Sequence, residues 1–312
     1  MIEATSLTKR YGAKTAVDSI DFAVRPGQVT GFLGPNGAGK STTMRMIVGL
    51  DRPSAGRVTV NGKPYAEHKA PLREVGALLE AKAVHTGRSA RNHLRSIAAT
   101  HGIPRRRVDE VIDLTGLHSV AGKRVGGFSL GMGQRLGLAA ALLGDPATLI
   151  LDEPVNGLDP EGVLWVRGFV RQFAAQGRTV LLSSHLMSEM ALTADHIIVL
   201  GKGRVIANAT VAEIVGSTHT FVRVRSPRID EVARRLTQPD VTVTSVDADV
   251  IEVRGLPADV IGDAALSVGV ALHELTTVQG SLEEAYMNLT RDEVEYRTTV
   301  TPDAALAQGV TR

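Results

Sequence analysis

The pattern of apolar and polar positions divides the chain into two parts. Up to about residue 215, short apolar runs alternate with segments of helical periodicity. The apolar runs are VTGFLG at 29–34, TLILDEP at 148–154 and TVLLSSH at 179–185, and such runs are typical of buried parallel strands. Between about 86 and 143 the pattern is almost wholly helical, which predicts a helical insertion. Strands that alternate with helices favour a mostly parallel α/β sheet over residues 1–215.

Residues beyond 215 show a different order of elements. Strand-like and helix-like segments follow one another there as βαββαβ, which is the ferredoxin-like order. We therefore predict an accessory α+β domain over residues 216–292. Residues 293–312 lack periodicity, and we predict a disordered tail there. Just before this change of pattern, HIIVLGKGRVIA at 196–207 predicts a hairpin that turns at Gly201-Lys202-Gly203.

Composition narrows the classes of function. The 312 residues carry a formal net charge of +2 and no long basic stripe, so the charge does not imply a nucleic-acid partner. The absence of cysteine excludes disulfides and thiolate metal sites. The first residues are polar rather than typical of a signal peptide, and the longest apolar run, at 136–144, is too short to span a bilayer. We expect a soluble or peripheral protein, for which a membrane role would require a partner that supplies the spans.

GPNGAGKST at 34–42 is the strongest motif in the sequence. It fits G-x-x-x-x-G-K-[ST], with a predicted strand before it and a predicted helix after it. Glycines in such a loop let several backbone amides point at a phosphate, and the following helix adds its positive end. The alternative is a glycine-rich turn with a surface lysine, which the flanking elements disfavour. The predicted nucleotide-binding residues of this loop are Gly34, Pro35, Asn36, Gly37, Ala38, Gly39, Lys40, Ser41 and Thr42.

Charged and hydroxyl side chains near this loop have separate predicted roles. Lys40 would reach the β- and γ-phosphates, and Ser41 would bind Mg²⁺. Asp152 ends the strand TLILD, which is expected to lie beside the phosphate loop, and it would hold the same ion directly or through water. Glu153 would orient and polarise the attacking water as the catalytic base. The alternative is a solvated strand end with two incidental carboxylates.

Two further residues have both a structural and a functional interpretation. His185 closes the strand TVLLSSH and would hydrogen-bond the γ-phosphate, although a lone histidine is more often structural. Ser129, in FSLGMGQR at 128–135, is a good N-cap for the apolar helix that follows. The same serine and the backbone amides after it would also suit a phosphate.

Together these motifs make residues 2–215 resemble the ATP-binding subunits of ABC transporters. RYGAKTAVDSIDFAVRPGQVTGFLGPNGAGKST resembles the family's opening and places Tyr11 where an aromatic residue stacks on adenine. LILDEPVNGLDP resembles the Walker B strand followed by the D-loop, which here ends at Asp159. SSHLMSEM carries the residue that corresponds to the switch histidine, His185.

FSLGM at 128–132 stands where the family has its signature motif, usually Leu-Ser-Gly-Gly-Gln. Ser129 and Gly131 match that motif, whereas Leu130 and Met132 depart from it. The resemblance implies a head-to-tail pair, in which each ATP lies between one subunit's phosphate loop and the other's signature motif. The residues that it assigns to the nucleotide of a second copy are Ser129, Gly131 and Asp159.

The resemblance also implies a fold class and a setting. The fold class is α/β: a P-loop ATPase with a mostly parallel sheet, an antiparallel β part and a helical insertion, followed by a ferredoxin-like α+β domain. ATP and Mg²⁺ are the implied cofactors. The implied partners are a second copy of the chain and an integral-membrane permease, with no nucleic acid. The implied location is cytoplasmic, peripheral on the cytoplasmic face of the cell membrane.

One position departs from the family in the implied metal site, which comprises Ser41, Asp152 and Glu80. Glu80 stands where the family usually has a glutamine that contacts Mg²⁺, and a carboxylate can still bind this ion. The alternatives are an alignment that is off by one residue and a Glu80 that faces solvent. GALLEAKAVHTGRSARNHL resembles a bacterial subgroup of drug and peptide-antibiotic exporter ATPases that carries glutamate there.

We therefore expect an ATPase that couples ATP binding and hydrolysis to the export of a drug, an antibiotic or an amphipathic compound. Three alternatives stay open from the sequence. They are an importer ATPase, an ABC-type ATPase that acts on ribosomes or DNA, and a regulatory ABC-type ATPase that works without a permease.

Overall fold

The computed structural model describes residues 1–79, 84–216, 220–278 and 280–290. The predictions for Glu80 and for the tail at 293–312 lie outside these ranges. Every other residue proposed above for the site lies within them.

Strands and helices alternate along the chain. The strands are β1 (Ile2–Tyr11), β2 (Lys14–Val24), β3 (Val29–Leu33), β4 (Ala55–Val60), β5 (Val75–Leu78), β6 (Thr148–Leu151), β7 (Thr179–Ser183), β8 (His196–Gly201), β9 (Arg204–Thr210), β10 (Phe221–Arg225), β11 (Thr242–Asp247), β12 (Val250–Arg254) and β13 (Glu274–Val278). The α-helices are α1 (Lys40–Ile47), α2 (Pro71–Glu74), α3 (Ala90–Thr100), α4 (Arg105–Leu114), α5 (Leu130–Leu142), α6 (Pro160–Ala175), α7 (Met187–Thr193), α8 (Val211–Gly216), α9 (Ile229–Leu236), α10 (Ala258–Ser267) and α11 (Leu282–Thr290). None of the helices in the described ranges combines the length and the apolar character that a membrane crossing requires.

The chain divides into two compact units. The first includes Met1–His185 and Ile198–Asn208, and the second comprises Leu186–Ile197 and Ala209–Leu289. The second unit therefore takes in α7 as well as the elements near the C-terminus. The predicted domain ranges are continuous in sequence and so differ from this division, and they remain a prediction.

A six-stranded sheet forms the centre of the first unit, with strand order β5-β6-β7-β3-β8-β9. The pairs β5–β6, β6–β7 and β3–β7 are parallel. Every residue of β3, β6 and β7 is buried, which explains their continuous apolar runs. β7 lies between β6 and β3, and Asp152 after β6 still reaches the end of the phosphate loop, where it accepts a hydrogen bond from Ser41. The carboxyl ends of all three strands nevertheless open on one edge of the sheet, because the strands are parallel.

Antiparallel pairing completes the first unit. β1 pairs with β2 and with β4 in a three-stranded sheet of order β2-β1-β4. The two sheets share one apolar core, in which the rings of Phe22 and Phe32 lie 5.6 Å apart between centroids. β8 and β9 are joined through Lys202 and Gly203, whose φ angles of +44° and +79° suit a tight hairpin turn. The predicted antiparallel part is thereby confirmed.

Helices α3, α4 and α5 form the predicted helical insertion. Each of them buries an apolar face, represented by Leu94, Val111 and Leu136, which are fully buried. The Arg107 guanidinium of α4 donates to the main-chain oxygen of Leu142 at 2.8 Å, at the end of α5. This bond satisfies one of the carbonyl groups that a helix end leaves without an intrahelical partner.

The second unit contains the predicted ferredoxin-like arrangement. β10 pairs antiparallel with β12 and β13, and β11 pairs antiparallel with β12, which gives the order β11-β12-β10-β13. Val222 and Val224 of β10 share one core with Val232 of α9 and Ile261 of α10. The βαββαβ order and this pairing confirm the fold class predicted for residues beyond 215.

Candidate nucleotide-binding site

The phosphate loop joins β3 to α1 and is held by close backbone packing. Gly39, the N-cap of α1, has φ +103°, and a Cβ there would lie 2.6 Å from the carbonyl oxygen of Ala16 in β2. Gly34, at the other end of the loop, lies so near β8 that a Cβ would be 2.5 Å from the carbonyl oxygen of Leu200. A side chain at either position would force the backbone apart. Glycine at these two positions therefore lets the loop pack closely against the neighbouring strands β2 and β8.

The middle of the loop faces outward. Asn36 and Gly37 are exposed, whereas Ala38 is buried. The Ala38 amide donates to the carbonyl oxygen of Pro35 at 3.1 Å, and the Gly203 amide donates to that of Ala38 at 3.2 Å. These bonds close the loop into a turn with an exposed tip.

Lys40 is the first residue of α1, and its ammonium group lies against the loop. Its Nζ donates to the carbonyl oxygens of Gly34 at 2.5 Å and Pro35 at 3.2 Å. Burial lowers the pKa of Lys40 below its ordinary value, and the carboxylates of Glu153 and Asp152 oppose that shift. An ammonium group hydrogen-bonded to carbonyl oxygens can exchange them for the more strongly attracting oxygens of a phosphate.

Ser41 and Asp152 meet although they are far apart in sequence. The Ser41 hydroxyl donates to Oδ2 of Asp152 at 2.7 Å, and the hydroxyl of Ser183 donates to Oδ1 at 2.5 Å. Ser183 ends β7, so the strand between β6 and β3 supplies the connection. In the part of the chain that the structure describes, no three or more histidine, aspartate or glutamate side chains form a metal cluster. A cation at this position would be bound by the Asp152 carboxylate and the Ser41 hydroxyl, together with oxygens of another source.

Glu153 has a left-handed backbone with φ +50°, which residues other than glycine rarely adopt. Its N–H donates to the Ser183 hydroxyl at 3.0 Å. Its Oε2 lies 2.7 Å from Nδ1 of His185 and accepts the backbone N–H of His185 at 3.3 Å. The structure therefore brings two predicted catalytic residues into direct contact at the carboxyl edge of the sheet.

Tyr11 lies at the end of β1, and its side chain is about half exposed. The hydroxyl donates to Oδ2 of Asp51 at 3.0 Å, and the same oxygen accepts Nε of Arg45 at 2.8 Å. Nζ of Lys9 lies 4.9 Å from the ring centroid. Partial burial and then the bond to Asp51 raise the pKa of Tyr11, so the phenol stays protonated and keeps its donor. These contacts fix the orientation of the ring, and its stacking on adenine stays a prediction.

The residues predicted to face a second copy stand at the starts of two helices. The Ser129 hydroxyl accepts the N–H of Met132 at 3.2 Å, so Ser129 does cap α5. A Cβ at Gly131 would lie 3.1 Å from the carbonyl oxygen of Gly157, so this turn of α5 passes close to the loop before α6. Asp159 caps α6, because its Oδ1 accepts the N–H of Gly162 at 3.0 Å.

Two residues that were not predicted from the sequence, Ser183 and Gln134, form hydrogen bonds with the strand-end pair Asp152 and Glu153. Ser183 contacts both Asp152 and Glu153, as described above. Gln134 of α5 is 3% exposed, and its Nε2 donates to the main-chain oxygen of Glu153 at 2.9 Å. The signals that could have revealed them were a serine at the end of a predicted buried strand, two residues before His185, and a polar residue on the buried face of an apolar helix.

Comparison with known families gives two matches within the chain. A model described as ABC transporter matches residues 17–156. A model described as a domain of unknown function, DUF8746, matches residues 220–283.

Individual proteins match over most of the length. The chain is 35% identical over 304 residues to the Uncharacterized ABC transporter ATP-binding protein YhcH of Bacillus subtilis (strain 168), which covers 95% of this chain and 99% of that protein. It is 35% identical over 304 residues to the Daunorubicin resistance ATP-binding protein DrrA3 of Streptomyces coeruleorubidus, covering 91% and 94%. It is 41% identical over 209 residues to the Bacitracin transport ATP-binding protein BcrA of Bacillus licheniformis, covering 66% and 68%.

A solved structure of the ATP binding subunit of an ABC transporter superposes with a TM-score of 0.64 at 29% identity, covering 70% of this chain and 92% of that chain. The fold of the first unit and its phosphate loop agree with this likeness. Because the identity to YhcH extends over nearly the whole of both proteins, the chain belongs to the family of ABC transporter ATP-binding proteins.

Proposed function

We propose that the chain is the ATP-hydrolysing subunit of an ABC exporter for a drug, an antibiotic or another amphipathic compound. The observation that carries this proposal is the convergence of five side chains at one edge of the parallel sheet. They are Lys40, Ser41, Asp152, Glu153 and His185. Phosphate binding, metal binding and activation of water require such groups within reach of one another.

The ATP phosphates are assigned to the loop at 34–42. The exposed tip and the N-terminal end of α1 offer backbone amides to an anion. The Lys40 ammonium would leave the carbonyl oxygens of Gly34 and Pro35 and contact the β- and γ-phosphates. Tyr11, which Asp51 holds in place, would stack on adenine.

Ser41 and Asp152 fit a Mg²⁺ ion. Their oxygen atoms lie 2.7 Å apart, and hydroxyl and carboxylate oxygens are ligands that this ion prefers. When bound, Mg²⁺ would neutralise charge on the phosphate oxygens. Glu80, the third proposed ligand, lies outside the described residues, and its role remains a prediction.

Glu153 is the proposed catalytic base. Its carboxylate would accept a proton from the water that attacks the γ-phosphate. The Glu153 N–H donates to the Ser183 hydroxyl and the carboxylate is hydrogen-bonded to His185, so this side chain is held in one orientation. His185 would also donate to the γ-phosphate, as the resemblance implies.

A second copy of the chain is the proposed source of the remaining nucleotide contacts. Ser129 and Gly131 lie at the start of α5, whose N-terminal end is positive. These residues and Asp159 would contact the ATP that the other copy holds in its phosphate loop. ATP would close the pair because it has more contacts in the closed state than in the open one.

An integral-membrane permease is the proposed second partner. The relatives named for bacitracin transport and daunorubicin resistance support a drug or an antibiotic as the cargo. The chain would lie in the cytoplasm, peripheral on the cytoplasmic face of the cell membrane, where it contacts the permease.

The variant Glu153→Gln tests the proposal. It should bind ATP as tightly as the wild-type chain, accumulate as an ATP-bound dimer in size-exclusion chromatography, and hydrolyse ATP at least about a hundredfold more slowly. The control is Glu110→Gln, which alters a partly exposed carboxylate of α4 that pairs with Arg106 and Arg107 on the same helix, and it should hydrolyse ATP normally. Normal hydrolysis by Glu153→Gln would contradict the base assignment. Absence of ATPase activity from the wild-type chain with its permease would contradict the function itself.

A further inference from the structure

Glu153 is held through its main chain by a residue of α5. Gln134 lies within that helix with 3% of its surface exposed. Its side-chain Nε2 donates to the carbonyl oxygen of Glu153 at 2.9 Å. A buried amide on an otherwise apolar helix face has a cost in desolvation unless it is hydrogen-bonded, and this contact provides the partner.

The conformation of Glu153 requires such support. A left-handed backbone at a residue with a side chain is unfavourable and persists only where the surroundings impose it. The peptide group before Glu153 is fixed because its N–H donates to Ser183 at 3.0 Å. The peptide group after it is fixed because its oxygen accepts both Nε2 of Gln134 and the N–H of Asn156, the latter at 3.1 Å. The side chain of Glu153 is thus aimed by bonds on both sides of its Cα.

We propose that Gln134 is a positioning residue for ATP hydrolysis, which holds the main chain of Glu153 so that the carboxylate reaches the attacking water. The inference rests on the proposed role of Glu153 as the base. In this role Gln134 acts through Glu153, because its side-chain amide donates to the main chain of that residue.

This contact also connects the two kinds of site on one chain. Gln134 follows Ser129 and Gly131 by about one helical turn, so all three move with α5. A shift of α5 on contact with the second copy's nucleotide would therefore reach Glu153 through the Gln134 amide.

The chemistry of the contact predicts how substitutions rank. Methionine has nearly the length of glutamine and stays buried, but it has no hydrogen to donate. Glutamate has the same shape, but it sets an acceptor oxygen against the carbonyl oxygen, which repels it. The order of activity is therefore wild type, then Gln134→Met, then Gln134→Glu.

Steady-state kinetics of the full-length chain with Mg²⁺ and ATP measures the effect. For Gln134→Met we expect kcat to fall about tenfold, with KM and the directly measured ATP affinity unchanged, because the phosphate loop is untouched. The matched control is Leu138→Met, an equally buried residue one turn further along α5, which should keep the wild-type kcat. If Gln134→Met does not fold, Gln134→Asn keeps a buried amide that is one methylene too short to reach the carbonyl, and the same fall in kcat is expected.

A double variant separates positioning from a general packing role. In single-turnover hydrolysis, adding Gln134→Met to Glu153→Gln should cause no further loss, because the side chain that Gln134 positions is already inactive. A further loss of about tenfold, or a wild-type kcat for Gln134→Met, would overturn the inference. Either result leaves the proposed function intact, since that fails only if the wild-type chain lacks ATPase activity or Glu153→Gln retains it.

Discussion

Leu130 lies directly against Gly157. A Cβ on Gly157 would lie 2.2 Å from Cδ2 of Leu130, and Gly157 has φ +75°. Leu130 stands where the signature motif of the family usually has glycine, and the missing side chain of Gly157 makes room for it. The contact joins the first turn of α5 to the loop before α6 within one chain.

We expect Gly157→Ala to lower the free energy of unfolding by more than Gly177→Ala does. Gly177 has φ +80°, and among the described residues no atom beyond its chain neighbours lies within 4 Å of the position that its Cβ would take, so its substitution carries only the cost of the left-handed backbone, about 1 kcal/mol. At Gly157 the overlap with Leu130 adds roughly 1–3 kcal/mol. Urea unfolding of the full-length variants measures the difference.

The Leu130→Ala background identifies the cause of that difference. Shortening this side chain removes the overlapping Cγ and Cδ atoms, so Gly157→Ala should then cost about as much as Gly177→Ala. An excess cost that persists in the Leu130→Ala background would show that another neighbour is responsible.

A second prediction separates the two roles of Ser129. Ser129 caps α5 and Ser89 caps α3 through equivalent bonds, to Met132 at 3.2 Å and to Asn92 at 3.3 Å. We expect Ser129→Ala and Ser89→Ala to lose similar stability, about 1 kcal/mol each. Only changes at Ser129 should weaken the ATP-bound dimer, because only Ser129 is proposed to face the nucleotide of a second copy.

Ser129→Arg makes this test sharper. Its bulk and charge should block the closed dimer and hydrolysis while ATP still binds the phosphate loop of the single chain. Size-exclusion chromatography in the Glu153→Gln background reports the dimer, and a fluorescent ATP analogue reports binding. A Ser129→Arg chain that still forms the dimer would leave capping as the role of this serine.

A third prediction concerns metal dependence. Removing the Ser41 hydroxyl takes away one of the protein oxygens at the proposed Mg²⁺ position, so Ser41→Ala should need about tenfold more Mg²⁺ for half-maximal ATPase activity. Thr43→Ser is the control, because it keeps the bond from this buried hydroxyl to the Gly39 carbonyl on the same helix. A Mg²⁺ titration of ATPase activity measures both variants. An unchanged Mg²⁺ requirement in Ser41→Ala would contradict the metal assignment.

Much of the fold was predictable because its signals are local. The glycine and lysine spacing of the phosphate loop and the apolar runs of β3, β6 and β7 are properties of short segments, and the βαββαβ order follows from similar local patterns beyond residue 215. The order of strands in the sheet is not local, so the position of β7 between β6 and β3 could not be predicted from the sequence. Ser183 was not predicted for the same reason, since its contacts depend on that strand order.

The connections between site residues were less predictable than the residues themselves. The side chains of Asp152 and Glu153 were recognisable by their place after an apolar strand. The left-handed backbone of Glu153 and its bond from Gln134 arise only when α5 packs on the turn after β6. Leu130 could be seen to depart from the family motif, but its fit against Gly157 required the tertiary structure.

The last prediction tests Ser183 as the link between the two carboxylates. Its hydroxyl is buried, donates to Asp152 and accepts from the backbone of Glu153. Ser183→Ala leaves both partners without this bond, so we expect a loss of about 1–3 kcal/mol in unfolding free energy. We also expect the ATPase rate to fall about tenfold, because Asp152 and Glu153 lose a common point of attachment.

Thr30→Val is the matched control for this loss. Thr30 lies on β3, next to β7, and its buried hydroxyl has no hydrogen-bond partner within the described ranges. Valine fills nearly the same volume without a polar atom, so this substitution should leave stability unchanged or slightly higher. Thermal unfolding measures the stability of both variants, and ATPase assays measure their activity. Equal effects of Ser183→Ala and Thr30→Val would mean that the Ser183 hydroxyl contributes no more than buried volume, and the two carboxylates would then be positioned by their own turn.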